Sequence, residues 1–138
     1  LKTLRAAVAG RGPSQLKLLA VTVMTNLTED DLKQQGSRFT PGELVLHRAR
    51  LAHEAGFDGV IASRQEAAAI RAATSPDFLI VTPGIRLAGS TTDDQERVMT
   101  PEHAIGAGAN HIVVGRPITQ ADDPVQAALT FHNHIRQA

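Results

Sequence analysis

Gly56-Phe57-Asp58-Gly59-Val60-Ile61-Ala62-Ser63-Arg64-Gln65-Glu66 is the stretch whose reading decides the fold. It opens on a glycine placed to stop the helix before it. A short apolar run at residues 59–62 follows, with little polar alternation, as suits a strand buried on both faces of a parallel sheet. Ser63 then stands three residues before Glu66, the spacing of a capping box that opens the next helix. A helix end, a strand and a helix start in direct succession predict a chain that alternates strand and helix.

The same rhythm extends outward in both directions. Apolar, β-branched runs recur at residues 18–23, 78–82 and 111–114. Thr40-Pro41-Gly42-Glu43 offers an N-cap, a proline at the first helical position and a capping-box glutamate, so a helix should run from there to Gly56. Thr100-Pro101-Glu102 opens a further helix that Gly108 can end, and Asp123-Pro124 opens the last, with Val125, Ala128, Leu129, His132 and Ile135 at the spacing of one helix face. A short helix at residues 2–9 precedes the first strand. The order is βαβαβαβα on a parallel sheet, the mark of an α/β fold.

Four such units make either a small doubly wound sheet or half of an eight-stranded barrel, which needs about 250 residues. The length of 138 residues favours the small sheet and a single domain over residues 1–138. Two long connections, at residues 24–39 and 83–99, favour the half-barrel. Both leave the carboxyl ends of strands, where barrel enzymes build their sites, and loops of that length usually carry function.

Composition narrows the classes of function. Lys plus Arg and Asp plus Glu both number 14, so no positive field invites nucleic acid or an anionic membrane, and any phosphate must be gripped locally. The absence of cysteine removes disulfides, thiolate metal sites and cysteine nucleophiles, and fits the cytoplasm. The longest apolar run, around Leu18-Leu19-Ala20-Val21, is far below the roughly 20 residues that span a bilayer. The first residues, Leu1-Lys2-Thr3-Leu4-Arg5-Ala6-Ala7, lack an initiator Met and read like the inside of a longer protein.

Two motifs carry candidate chemistry. Val81-Thr82-Pro83-Gly84-Ile85-Arg86 is a strand running into a Pro-Gly turn, where glycine lets the backbone approach a ligand and Arg86 reaches the mouth of a site. Ile112-Val113-Val114-Gly115-Arg116-Pro117-Ile118 offers a backbone amide at Gly115 and a planar guanidinium at Arg116, the donors a phosphate dianion needs. Each alone also reads as an ordinary turn with a solvated arginine. Together they follow the third and fourth strands, and in the second half of a barrel these would be strands seven and eight, whose loops commonly form the phosphate site.

These motifs belong to an ordered set. Leu19-Ala20-Val21-Thr22-Val23-Met24-Thr25, the stretch from Val81 to Arg86, Asp94-Gln95-Glu96-Arg97-Val98-Met99-Thr100-Pro101, Gly106-Ala107-Gly108-Ala109-Asn110 and Val114-Gly115-Arg116-Pro117-Ile118 follow one another along nearly the whole chain. In order and spacing they resemble the carboxyl-terminal half of a bacterial-type orotidine 5'-phosphate decarboxylase. The resemblance implies the second half of a (β/α)8 TIM barrel, four parallel strands each followed by a helix. It also implies roles for five matching positions: Thr25 at the pyrimidine ring, Arg86, Gly115 and Arg116 at the phosphate, and Gln95 bridging phosphate and base. A glutamine suits that bridge because one amide both donates and accepts. Taken without the resemblance, Gln95 is an exposed polar loop residue and Thr25 a hydroxyl that satisfies a loop backbone group.

The resemblance implies an absence as well. Decarboxylases of this family carry an Asp-x-Lys-x-x-Asp motif on the third barrel strand, with aspartate and lysine partners on the first two, and this sequence holds no copy of it. Asp31-Leu32-Lys33-Gln34-Gln35-Gly36 has the aspartate and lysine spacing but ends in glycine, follows the wrong strand and reads as a solvated loop or short helix. No catalytic residue is therefore expected in this chain. Of the six histidines, His47 and His53 are six apart and His132 and His134 two apart, so neither pair shares a helix face, and no metal site is expected.

The activity implied is conversion of orotidine 5'-phosphate to uridine 5'-phosphate in pyrimidine synthesis, with neither cofactor nor metal, this chain alone being inactive. The expected association is a homodimer or pairing with the missing amino-terminal half. Two rival readings stand: a related sugar-phosphate enzyme of the same superfamily, against which Thr25 and Gln95 argue, and a non-catalytic half-barrel that binds nucleotide after pairing with itself or a partner.

Overall fold

The computed structural model describes residues 1–24, 26–87 and 99–138. Helix α1 (Lys2–Arg11) precedes strand β1 (Leu19–Val21), after which come α2 (Glu29–Gln34) and α3 (Pro41–Ala55). Strand β2 (Gly59–Ile61), α4 (Arg64–Ala73), β3 (Leu79–Thr82), α5 (Pro101–Gly106), β4 (His111–Ile112), α6 (Arg116–Thr119) and α7 (Pro124–Arg136) complete the order. The strands form one sheet in the order β1-β2-β3-β4, every pairing parallel. Four parallel strands each followed by a helix is the predicted arrangement.

Register separates the two faces of this sheet. Ala20, Val60 and Ile80 lie side by side, and all three join the core formed with Ala49 and Ala52 of α3 and Ala67 and Ile70 of α4. Ile112 instead meets Ala104 of α5 and Phe131 of α7 in a second core. All these contacts lie on the helix-bearing side. On the opposite face Val21 stays 63% exposed and Val113 47% exposed, so apolar side chains line an open concave surface. Length favours a small doubly wound sheet, and the uncovered face is the physical reason that reading fails: among the described residues the helices pack on one side only.

The helix signals are realised with some differences. Thr40 caps α3 in a full box with Glu43, whose carboxyl is held below its ordinary range by the Thr40 amide and then the Thr40 hydroxyl. The helix ends at Gly56 as read. Ser63 caps α4 through the Gln65 amide at 3.3 Å and donates its hydroxyl to the Glu66 carboxylate, so the box there is only half made. The loop at residues 24–39 contains the short α2, and α1 runs to Arg11. Strand β4 stops at Ile112, and although the Val113 amide still donates to the Thr82 carbonyl at 2.8 Å, Gly115 and Pro117 then turn the chain into α6.

The last helix corrects the expected face. Phe131 is buried, and Ala127, Thr130, His134 and Ile135 accompany it half-buried, while Val125 is 70% and Leu129 50% exposed. The spacing found a real apolar stripe, but the helix carries two, and the one at residues 125, 128, 129 and 132 points away from the chain's own core.

Side chains at the amino ends of the strands staple the units together. Arg71 at the end of α4 donates to the carbonyls of Ser75, Pro76 and Phe78 at 2.9, 3.0 and 2.7 Å and to Asn110 Oδ1 at 2.7 Å. Asn110 Oδ1 also accepts from the Ile80 amide at 2.9 Å, so one guanidinium ties α4, the entry to β3 and the entry to β4. Replacing Arg71 by methionine keeps the stem but leaves these carbonyls unpaired, and the expected loss is about 2 kcal/mol in urea unfolding. Asp58 does the same work before β2, accepting from the Leu18 amide at 2.8 Å, Lys17 at 3.1 Å and Arg11 at 2.5 Å. The Leu18 amide, ahead of the two cations, holds its carboxyl below the usual range against the opposing effect of burial.

A third staple titrates. Glu102 at the start of α5 meets His134 Nδ1 of α7, and the histidine, with backbone and Thr100 contacts, lowers the Glu102 carboxyl to about 2. A carboxyl depressed in the folded state stabilises fully above its unfolded value and less as pH falls towards the folded one. The stability difference between wild type and Glu102→Gln should therefore shrink as pH falls from about 5 to about 2. Urea midpoints across that range would show it, and a difference growing on acidification would contradict the pairing.

Candidate functional site

The carboxyl ends of β1, β2 and β3 open on one cavity of about 520 Å³. The exit of β1 contributes Val23 and Met24, and α3 adds Pro41 and Val45 as an apolar wall. The exit of β2 brings Ser63, Gln65 and Glu66, and the exit of β3 brings Pro83, Gly84 and Arg86, with Met99 beside them. The chemistry is divided accordingly: one wall is hydrocarbon, the other holds hydroxyl, amide, carboxylate and guanidinium groups. A smaller cavity of about 190 Å³ adjoins it over Val21 and Ile61, sharing Val23, Met24 and Pro83. That one opens on the concave apolar face.

Local sequence explains why Arg86 is held here. Pro83 ends the strand and Gly84 takes φ 77, left-handed backbone that only glycine adopts without strain. No atom lies within 4 Å of where a Gly84 Cβ would stand, so the glycine serves the turn itself and not a close approach. The Arg86 amide then donates to the Met99 carbonyl at 2.9 Å, pinning together the two ends of the long connection after β3. Ile85 between them is buried against Ala104 and Ala109.

Gly115 and Arg116 sit at the exit of β4, both exposed, and lie outside both cavities. Gly115 caps α6, its carbonyl accepting from Ile118 at 2.9 Å and Thr119 at 3.1 Å. Its own amide donates to none of the described residues, and Arg116 makes no side-chain hydrogen bond or ion pair among them. Amide and guanidinium are thus presented at the same end of the sheet as Arg86, on the neighbouring strand. Thr25 and Gln95, the expected pyrimidine and bridging residues, lie outside the described residues.

Lys33 is on the exposed side of α2, 62% exposed, paired with Glu29 at 2.9 Å and Asp30 at 3.9 Å. It lines neither cavity, in keeping with a solvated helix face. Among the described residues no cluster of three or more His, Asp or Glu is placed to hold a metal, and no helix is long and apolar enough to cross a membrane. Ser63, Gln65 and Glu66 were read as a helix cap and nothing more. Their place in the cavity was implicit in the position of that cap, since a cap following a barrel strand stands at the strand's carboxyl end.

Comparison with known proteins agrees with this fold. Residues 1–131 match the family described as "Orotidine 5'-phosphate decarboxylase / HUMPS family". A protein of Rhodopseudomonas palustris (strain BisB5) named orotidine 5'-phosphate decarboxylase is 52% identical over 137 residues, 99% of this chain and 58% of that protein. One of Caulobacter sp. (strain K31) with the same name is 53% identical over 128 residues, 93% of this chain and 56% of that protein. The crystal structure of orotidine 5'-phosphate decarboxylase from Lactobacillus acidophilus superimposes with a TM-score of 0.79 at 38% identity, covering 97% of this chain and 58% of that one. The chain therefore spans less than two thirds of the length of these relatives.

Proposed function

This chain belongs to the orotidine 5'-phosphate decarboxylase / HUMPS family, and on that premise we propose that it supplies the phosphate- and pyrimidine-binding loops for decarboxylation of orotidine 5'-phosphate to uridine 5'-phosphate. The observation that supports this reading is the position of Arg86 at one strand exit and of the Gly115-Arg116 donors at the next, both at the carboxyl end of a parallel sheet. Arg86, Gly115 and Arg116 would hold the phosphate, Thr25 would face the pyrimidine, and Gln95 would bridge the two. Loss of carbon dioxide breaks the bond at C6 and leaves its electron pair on a carbon with no adjacent sink. A fixed electrostatic environment must stabilise that pair and a lysine must protonate it.

No residue of this chain fills the lysine's place, for the Asp-x-Lys-x-x-Asp motif is absent and Lys33 lines neither cavity. The proposed roles are therefore binding and orientation, in which gripping the remote phosphate lowers the barrier by holding the base where the reaction occurs. Residues 1–138 act in this reading as one domain in the cytoplasm, and turnover belongs to an assembly whose other part covers the open face. That part is an amino-terminal half-barrel or a second copy of the chain, and Val21 and Val113 are exposed apolar side chains of that face which it would bury.

Titration with uridine 5'-phosphate and with a pentulose phosphate separates this reading from that of a sugar-phosphate enzyme. Preference for the uridine nucleotide is expected. Equal or stronger binding of the pentulose phosphate would overturn it.

A further inference from the structure

The carboxyl end of β1 is not finished as a parallel ladder finishes. Thr22 donates its amide to the Ile61 carbonyl at 3.3 Å and its hydroxyl to the same oxygen at 2.9 Å. In a continuing parallel ladder the Thr22 carbonyl would accept from the amide two residues beyond Ile61, that of Ser63. Ser63 has instead turned to cap α4, and no such bond exists among the described residues. The carbonyl takes the Arg48 guanidinium of α3 at 2.5 Å in its place. On β3 the equivalent carbonyl, of Thr82, is satisfied by the ordinary ladder donor, the Val113 amide at 2.8 Å.

We propose that Arg48 is a positioning residue: by replacing the missing ladder donor it holds β1 apart from the start of α4 and fixes the direction in which the chain leaves the strand. The proposal rests on the assignment of the cavity to nucleotide binding. Three observations converge on it. Thr22 is 1% exposed, so its carbonyl would otherwise be a buried acceptor without a partner. The residues directly after it, Val23 and Met24, form the wall shared by both cavities, and Thr25 follows them in sequence. Helix α3 is itself held by its capping box at Thr40 and by the buried Leu44, Val45 and Ala49, so the guanidinium works from a fixed base. A charge-assisted bond to a carbonyl stays short and directional, which suits holding an exit angle better than apolar packing does.

Amide hydrogen exchange on Arg48→Met and Arg48→Lys tests this directly. In Arg48→Met the amides of Thr22 and of Leu27, which donates to the Met24 carbonyl at 3.0 Å, should exchange about tenfold faster, with Arg48→Lys between the two. The Ile80 amide, held by Asn110 on the far side of the sheet, should be unchanged. Unchanged exchange at Thr22 and Leu27 would overturn the proposal, and so would equal acceleration at all three sites, which marks a purely global loss of stability. Uridine 5'-phosphate affinity, measured on the same proteins, should weaken in Arg48→Met and recover in part in Arg48→Lys. Wild-type chain that binds no uridine 5'-phosphate would sink the nucleotide reading while leaving the exchange result to decide the positioning role.

Discussion

Gly59→Ala is expected to abolish the cooperative unfolding transition, or to lower stability by roughly 3 kcal/mol or more. A Cβ at Gly59 would stand 2.5 Å from the Leu79 Cβ and 2.8 Å from the Leu79 carbonyl carbon, and closer still to its oxygen. Most crowded sites relax by moving a side chain, but here the obstruction is backbone. Leu79 is fixed by the register of β2 on β3, and its amide donates to the Asp58 carbonyl at 2.8 Å. Neither strand can shift without breaking the ladder between them. For a chain of this size such a loss lowers the midpoint of thermal unfolding by roughly 10 °C. A Gly59→Ala protein melting within a degree or two of wild type would show that the approach of β2 and β3 is misdescribed.

The second large effect falls on binding with stability untouched. Arg116→Ala, in this chain joined behind the amino-terminal portion of the Rhodopseudomonas palustris relative, is expected to cost several kcal/mol in kcat/KM, since the charge-assisted phosphate contact proposed for it is lost. Arg116 makes no side-chain hydrogen bond or ion pair among the described residues, so its removal should leave the unfolding midpoint where it was. The same change at Arg86 should weaken activity less, because the family pattern ties that residue less directly to the phosphate. Steady-state kinetics beside thermal melts checks both expectations. Unchanged kcat/KM in Arg116→Ala would remove that residue from the phosphate site.

How much of this was legible in the sequence depends on what each signal measures. The strands were legible because a strand covered by helices must be apolar, and Val60 and Ile80 are fully buried. Helix starts were legible because caps are local chemistry: Thr40, Thr100 and Asp123 cap as their spacing indicates, and Ser63 caps as well, though through the Gln65 amide. The face of α7 was not, because periodicity finds a stripe without saying what covers it. Val125 and Leu129 have the right spacing, yet Phe131 is the residue that reaches the core. The end of β4 was likewise hidden: Val113 and Val114 look like strand, but past the Val113 amide the turn through Gly115 into Pro117 carries the chain into α6.

The candidate site divides in the same way. The Pro-Gly turn and Gly115-Arg116 advertise themselves, since turn residues and fixed donors have few other uses at strand ends. Arg48 does not, because its role depends on which carbonyl the fold brings to it, that of Thr22. Lys33 shows the converse error that spacing invites, being a lysine at a motif-like distance from an aspartate that the fold turns to solvent.

In the proposed function this chain contributes nucleotide binding while the proton-transferring group lies elsewhere. The most direct test is orotidine 5'-phosphate decarboxylation by the chain alone, on material shown to be folded, and again after adding the amino-terminal portion of the Rhodopseudomonas palustris relative. The expected result is no turnover alone and turnover on mixing, lost again when Arg116 is changed to alanine. Turnover by the chain alone that Lys33→Ala abolishes would contradict the account, for it would place the catalytic lysine on α2.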